Sequence, residues 1–386
     1  MRTIIDSPEA SPLRSAIAGL VALAVAMGIG RFAFTPILPS MMAQQGIGPD
    51  AAGLIAAANY GGYLAGAVAA SMSWAAGRER GLVIVALACS AALLAMMALT
   101  GEVWLLCLIR FLAGLASAFV MVFAASLVLG QPAAAGRPWV QSVHFAGVGM
   151  GMAVSSIVAG SLSLGRQPAE TLWLAMAAIG LVAIPAVGWL VPRPASRSGV
   201  AASVEPKLEW TPPLLSLTVA YGLFGFGYII TATFVVAIVR DGGGSPAFEM
   251  LVWLVTGIAA AISVAVGQPI AARYGPLRLF TVGCLVEAVG VAASVLLPSP
   301  AGPLIGGGIL GGTFVLITAY GLQAGRLQAP LSGRRVFASM TAIFGIGQIV
   351  GPVFAGWLSA STGSYTAASL VAALALVAAA VVAGRS

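Results

Sequence analysis

The sequence predicts an all-α polytopic membrane protein, with twelve transmembrane helices in two pseudo-symmetric six-helix bundles. Three observations carry that prediction. First, 60% of the 386 residues are hydrophobic and 8% are charged, and mean hydropathy is +1.03. A soluble domain carries about a quarter charged residues, and so few polar groups cannot cover a water-facing surface. Second, apolar runs of the length a bilayer core requires, about 20 residues, recur along the whole chain. Third, the basic residues between those runs are strongly biased to one side.

The runs are delimited by charge, Pro and Gly. The first opens after Arg14 and continues through Phe32, Phe34, Ile37 and Leu38, so 15–38 reads as a span. Ala24-Val25-Ala26 resembles a signal-peptide cleavage site, but the continuing apolar run favours a span. Asp50 precedes the second span, 51–74, and "GRERG" at 77–81 separates it from the third, 81–100. Glu102 precedes the fourth, 103–129, Arg137 the fifth, 138–163, and Arg166 the sixth, 169–191. Residues 192–212, rich in Pro, Ser and charge, read as a flexible linker. Beyond it, 213–239 stops before Arg240, 247–271 before Arg273, 277–297 before Pro298 and 302–325 before Arg326. The eleventh span, 336–359, opens after Arg334 and Arg335, and the twelfth, 365–384, stops before Arg385. The organisation is therefore a six-helix bundle over 1–191, the linker over 192–212, and a second bundle over 213–386.

Fourteen of the 18 basic residues fall on the linker side, and only Arg166 and Arg240 on the other. By the positive-inside rule, both termini and the linker are expected in the cytoplasm, with the chain multi-pass in the cytoplasmic (inner) membrane. The net charge of +7 is thus a topology signal, and no nucleic-acid partner is expected. Cys89, Cys107 and Cys284 sit singly in apolar runs and read as small hydrophobes. There is no metal spacing, and no cofactor is expected.

The halves resemble each other at an offset of about 196–197. Gly28-Ile29-Gly30 matches Gly225-Phe226-Gly227, and the ends of spans 5 and 11 match as Ala159-Gly160-Ser161-Leu162-Ser163 and Ala355-Gly356-Trp357-Leu358-Ser359. Duplicated six-helix halves joined by a cytoplasmic linker suggest a transporter.

"GIGRFAFTPILP" at 28–39, "AAGLIAAANYGGYLAGA" in span 2, "RFLAGLASAF" in span 4 and "GIGQIVGPVFAGWLSASTG" in span 11 resemble the major facilitator superfamily, and within it the YbfB/YjiJ-type group. The resemblance implies alternating access, with two bundles rocking about a central site. It also places gating at the loops after spans 2 and 8, here Arg78 and Arg80, then Arg273, Gly275 and Arg278. Both loops lack the Asp that the superfamily usually carries there. The superfamily's span-4 pattern is kept as Arg110 and Gly114. Drug antiporters tend to carry a Gly-Pro pair in span 5, whereas this chain has Gly351-Pro352 in span 11.

Arg31 and Arg110 are the charged residues of greatest interest. A charge at helix centre costs about 2.5–3.5 kcal/mol, and the N-terminal half offers no acid well inside a span to offset it. Either the two guanidiniums line a wet cavity and attract an anionic group, or each bonds backbone carbonyls or reaches outward. Asn59 and Tyr60 lie at similar depth. From the C-terminal half, Tyr221, Tyr228, Tyr320, Gln323 and Gln348 complete the candidate substrate-binding set, with Tyr228 near the repeat position of Arg31; each also suits interhelical packing. Candidates for coupling are His144, the sole histidine, Glu287, the acid well inside a span, and Asp50 at a span edge. His144 equally suits a neutral interhelical role. "GGGILG" at 306–311 has dinucleotide-motif spacing but no preceding strand, and reads as close helix packing.

The expected function is secondary active transport of a small anionic organic solute by alternating access, with the proton as coupling ion and the chain working as a monomer. The alternative is an efflux antiporter of drugs or amphipathic metabolites on the same fold. A membrane-embedded enzyme or sensor is remote. No His/Asp/Glu cluster offers catalytic chemistry, and no stretch outside the spans is long enough for an output domain.

Overall fold

The structure is a computed structural model that describes residues 11–130, 136–191 and 206–386. Most of the expected linker, with Arg193 and Arg197, lies outside the described residues. Twelve helical spans follow in order: α1 (Pro12–Gln45), α2 (Pro49–Ala70), α3 (Glu79–Leu99), α4 (Val103–Leu129), α5 (Pro138–Leu164), α6 (Ala169–Leu190), α7 (Pro212–Asp241), α8 (Pro246–Tyr274), α9 (Pro276–Leu296), α10 (Ala301–Gln328), α11 (Gly333–Thr362) and α12 (Thr366–Ala383). Among the described residues eleven helices are long and apolar enough to cross a membrane; α2 is the exception. Its polar and small residues, Asn59, Tyr60, Gly61, Gly62 and Tyr63, dilute its hydropathy.

Several ends lie further out than the apolar runs suggested. Proline is the reason in α1: Pro36 and Pro39 look like stops, yet a second helical segment, Phe34–Gln45, carries both. Pro36 sits in that segment's first turn, where a missing N–H costs nothing. α7 is capped by the Thr211 side chain, which accepts from the Leu214 N–H. α8 passes into α9 at Gly275, whose φ of 85° belongs to the left-handed region that glycine tolerates.

The bundles meet through three crossings: α1 on α7, α2 on α11, and α5 on α8. Glycine lets backbones touch there. A Cβ on Gly53 or Gly356 would run into the backbone carbonyl of Pro352 or Pro49 across the α2–α11 crossing. At the α5–α8 crossing Gly149 and Gly257 face each other's helices in the same way. Polar contacts join the halves at the same end. The Thr35 hydroxyl donates to the Ala232 carbonyl at 2.7 Å, and Ser156 to the Met250 carbonyl at 2.6 Å. The Tyr60 and Thr233 hydroxyls lie 3.2 Å apart. These contacts run from mid-depth, where Leu64 meets Gly345, to the end that carries Arg166 and Arg240. By contrast α4 packs mainly on α1, α2 and α3, and α10 on α7, α8, α9 and α11, each within its own half. The molecule is closed at one end. Thr35 and Ala232 are also repeat mates at the 197 offset, so their contact lies beside the pseudo-two-fold axis.

Candidate functional site

The site begins with a fault in α1. Residues Ala24–Ile29 form a π-helical turn, in which the N–H groups of Gly30 and Phe32 reach back five residues to Val25 (2.7 Å) and Met27 (3.1 Å). The Thr35 N–H then bonds the Phe32 carbonyl at 3.2 Å, which leaves the Arg31 carbonyl without its usual helical donor. Such insertions re-aim side chains and are frequent at functional sites.

Arg110 of α4 occupies the vacancy. It donates to the Gly30 carbonyl at 3.2 Å and the Arg31 carbonyl at 2.9 Å, and lies over the Phe34 ring at 5.0 Å. Asn59 in turn donates to the Arg110 carbonyl at 2.9 Å. Gly114, four residues on, brings α4 against the Asn59 carbonyl of α2. Of the two arrangements open for Arg110, the structure has the one in which the guanidinium bonds backbone carbonyls. Arg110 bonds the carbonyls of α1 that the π-turn leaves without helical donors, and Asn59 bonds the Arg110 carbonyl of α4.

Arg31 points elsewhere. It is 3% exposed and its guanidinium lies over three rings: Tyr63 at 4.2 Å, Tyr60 at 4.8 Å and Phe32 at 5.6 Å. It donates across the interface to Gln348 Oε1 of α11 at 3.0 Å, and Gln348 Nε2 donates to the Tyr228 hydroxyl of α7. Its Nε has no hydrogen-bond partner, and no ion pair to a carboxylate is made by Arg31 among the described residues. Cation–π contacts of this kind contribute up to about 2 kcal/mol each when desolvated, and together with the amide they offset the insertion cost. Four helices from both halves thus converge on one cation.

Behind Tyr228 stands an aromatic stack. The Tyr228 ring is near-parallel to Phe314 of α10 and Phe344 of α11, each 5.7 Å away, and Phe314 meets Phe32 edge-on at 5.8 Å. Tyr221 stacks on Phe344 at 4.9 Å and donates to the Thr318 carbonyl at 3.0 Å. Sequence reasoning missed Tyr63, Phe314 and Phe344. Tyr63 was legible, since it stands three residues after Tyr60 and so on the same helix face. The phenylalanines carried no polar signal.

The remaining candidates scatter. Tyr320 is buried against Gly267 of α8, and Gln323 is exposed on α10. His144 is fully buried against Gly19 of α1, edge-on to Phe145, and among the described residues neither ring nitrogen has a hydrogen-bond partner. Glu287 of α9 is fully buried, and among the described residues neither carboxyl oxygen has a hydrogen-bond partner. Gly283 and Gly290, on the same face of α9, meet Ile317 and Ile309 of α10, so the carboxyl lies level with Thr313. Asp50 is exposed in the first turn of α2, where its charge complements the helix dipole. In the loops, Arg78 bonds the Trp74 carbonyl and Arg80 the Gly188 carbonyl of α6. Arg273 lies over Tyr274, and Arg278 is exposed. Among the described residues no group of three His, Cys, Asp or Glu is arranged to hold a metal.

Comparison with known proteins agrees with this architecture. The profile of a family described as "Uncharacterised MFS-type transporter YbfB" matches residues 23–384. No curated protein sequence matches. Among solved structures, a point mutant of the nucleoside transporter NupG superposes with a TM-score of 0.74 at 14% identity, covering 97% of this chain and 99% of that one. A second NupG structure gives 0.69 at 16% identity, covering 97% and 98%. A bacterial homologue of the human lysosomal transporter Spinster, inward-facing and unoccupied, gives 0.75 at 14%, covering 98% and 96%. At these identities the structures speak for the fold alone. The family match extends over nearly the whole chain, and the chain belongs to the YbfB-type family of major facilitator superfamily transporters.

Proposed function

We propose that this transporter carries a small organic anion, and that Arg31 is its receptor. The observation that carries the reading is a guanidinium at bilayer depth held by rings and a neutral amide, with no carboxylate paired to it among the described residues. The planar fork suits a carboxylate or phosphate. An arriving anion would exchange the Gln348 bond for its own, and would thereby loosen a contact that joins the two halves. Tyr60, Tyr63 and Tyr228 would flank the non-ionic part of the solute. Each half would move as one body about this point. With the basic side in the cytoplasm, the closed end is periplasmic and the state is inward-facing, the conformation named for the Spinster homologue.

A proton is the coupling ion in this reading, and Glu287 its carrier. Glu287 is a buried carboxyl, without a cationic partner among the described residues, in the bundle that also supplies Tyr228. His144 lies among α1 and α5 contacts and fits helix packing better. The test is a thermal-shift screen of the purified protein against organic acids, followed by uptake of the hits into proteoliposomes. Arg31→Ala is expected to abolish uptake with membrane abundance intact. Unchanged uptake of every hit would remove Arg31 from the site.

A further inference from the structure

The linker end and the start of α11 border a shallow, open cleft of about 470 Å³, lined by Lys207, Leu208, Trp210, Arg335, Ala338 and Ser339. Its two charges are both cationic. Lys207 and Arg335 are exposed and make no hydrogen bond or ion pair among the described residues. The nearby Glu209 is exposed and does not line the cleft. The Ser332 hydroxyl donates to the Pro206 carbonyl at 3.2 Å, which fixes the strand of linker that carries Lys207 against the helix that carries Arg335.

The cleft opens onto a helix face whose character changes with depth. On α11, Arg335 and Ser339 share one stripe with Ile346, Val350, Val353 and Trp357, since these positions recur at helical spacing. The four deeper residues are large, apolar and exposed, so the stripe faces lipid. Trp210, half exposed at the mouth, has the amphipathic ring that settles at the headgroup level. A basic head followed by an apolar track matches an amphiphile with an anionic group at one end.

We propose that this cleft is a binding site for an anionic phospholipid, its phosphate between Lys207 and Arg335 and an acyl chain along Ile346, Val350 and Val353. The lipid would fasten the linker to the C-terminal bundle. The inference is independent of what the transporter carries.

Native mass spectrometry of the purified full chain tests it, with phosphatidylglycerol and phosphatidylcholine titrated separately. Each basic residue near a membrane surface contributes about 1 kcal/mol toward anionic lipid, so Lys207→Gln/Arg335→Gln should weaken phosphatidylglycerol binding about thirty-fold. Lys207→Gln alone, at an exposed unpartnered residue, should weaken it about five-fold. Arg273→Gln/Arg278→Gln, which removes two charges from the same side elsewhere, should leave binding unchanged. Equal losses in the two double variants would overturn the site in favour of diffuse attraction. Equal affinity for phosphatidylcholine would overturn the phosphate-and-charge assignment. Full competition by soluble glycerol phosphate would replace the lipid with a free anion.

Discussion

Gly257→Ala is the sharpest test of how the closed end is held. A Cβ at Gly257 would stand 2.6 Å from the Ala153 nitrogen, 2.8 Å from the Gly149 carbonyl oxygen and 3.0 Å from the Ala153 Cα. Ordinary carbon contacts lie at about 3.5–4.0 Å, so α5 and α8 must part by about 1 Å. All three obstacles are backbone, which cannot swing aside as a side chain does. Overpacking of this kind costs about 1–3 kcal/mol. The cost falls only on states in which the crossing is shut, so the equilibrium should move about 5- to 150-fold toward the opposite state. Spin labels at Gln167 and Gly242, at turns on the closed end of opposite halves, would report it by double electron–electron resonance, with Cys89, Cys107 and Cys284 replaced. The long-distance population should rise in Gly257→Ala. It should not rise in Gly283→Ala, whose added Cβ meets the flexible Ile317 and Leu316 side chains within one half. An unchanged distance distribution in Gly257→Ala would mean that the α5–α8 crossing does not hold the end shut.

Four further outcomes are expected. Arg110→Gln removes the donors to the Gly30 and Arg31 carbonyls and should lower stability by about 1–3 kcal/mol, seen as a reduced Tm in detergent, with substrate selectivity retained. Gln348→Leu breaks the bridge between Arg31 and Tyr228 and should shift KM for the anion far more than it shifts Tm. Glu287→Gln should abolish accumulation driven by a pH gradient in proteoliposomes while leaving substrate exchange; retained accumulation would exclude Glu287 as the proton carrier. Arg240→Gln leaves Glu249, bonded to it at 2.6 and 2.7 Å, buried without a partner. It should lower Tm by more than the double variant Arg240→Gln/Glu249→Gln, because an unpaired buried charge costs more than a missing pair.

The spans were legible because their punctuation is chemical: a run stops where Arg, Pro or Glu makes lipid unfavourable. The convergence of Arg31, Tyr60, Tyr228 and Gln348 was legible too, since each is a polar group that lipid would exclude. For Arg110 the sequence left carbonyl bonding as one of two readings, and which carbonyls it would find was not legible. Its partners are carbonyls, which every residue carries, and they lost their helical donors only because a π-turn displaced the ladder of α1. The close approaches at Gly53, Gly149, Gly257 and Gly356 were equally hidden. Glycines in small-xxx-small spacing fill spans 2, 5, 10 and 11, and spacing alone does not tell a contact within one bundle from one between bundles.

α2 has a consequence for how the protein is made. It is the span least able to partition into lipid unaided, yet it leaves the ribosome before α4, the surface that receives it. Gly62 and Gly66 lie against the Phe111 and Leu115 carbonyls of α4, and Gly114 against Asn59. Commitment of α2 to the bilayer should therefore be deferred until residues 103–129 have emerged. A bulky substitution at Gly114, whose added atoms would strike the backbone of Asn59 and Tyr63, would be felt during biosynthesis, as a chain inserted with the wrong topology and degraded, and the cell would show fewer transporters.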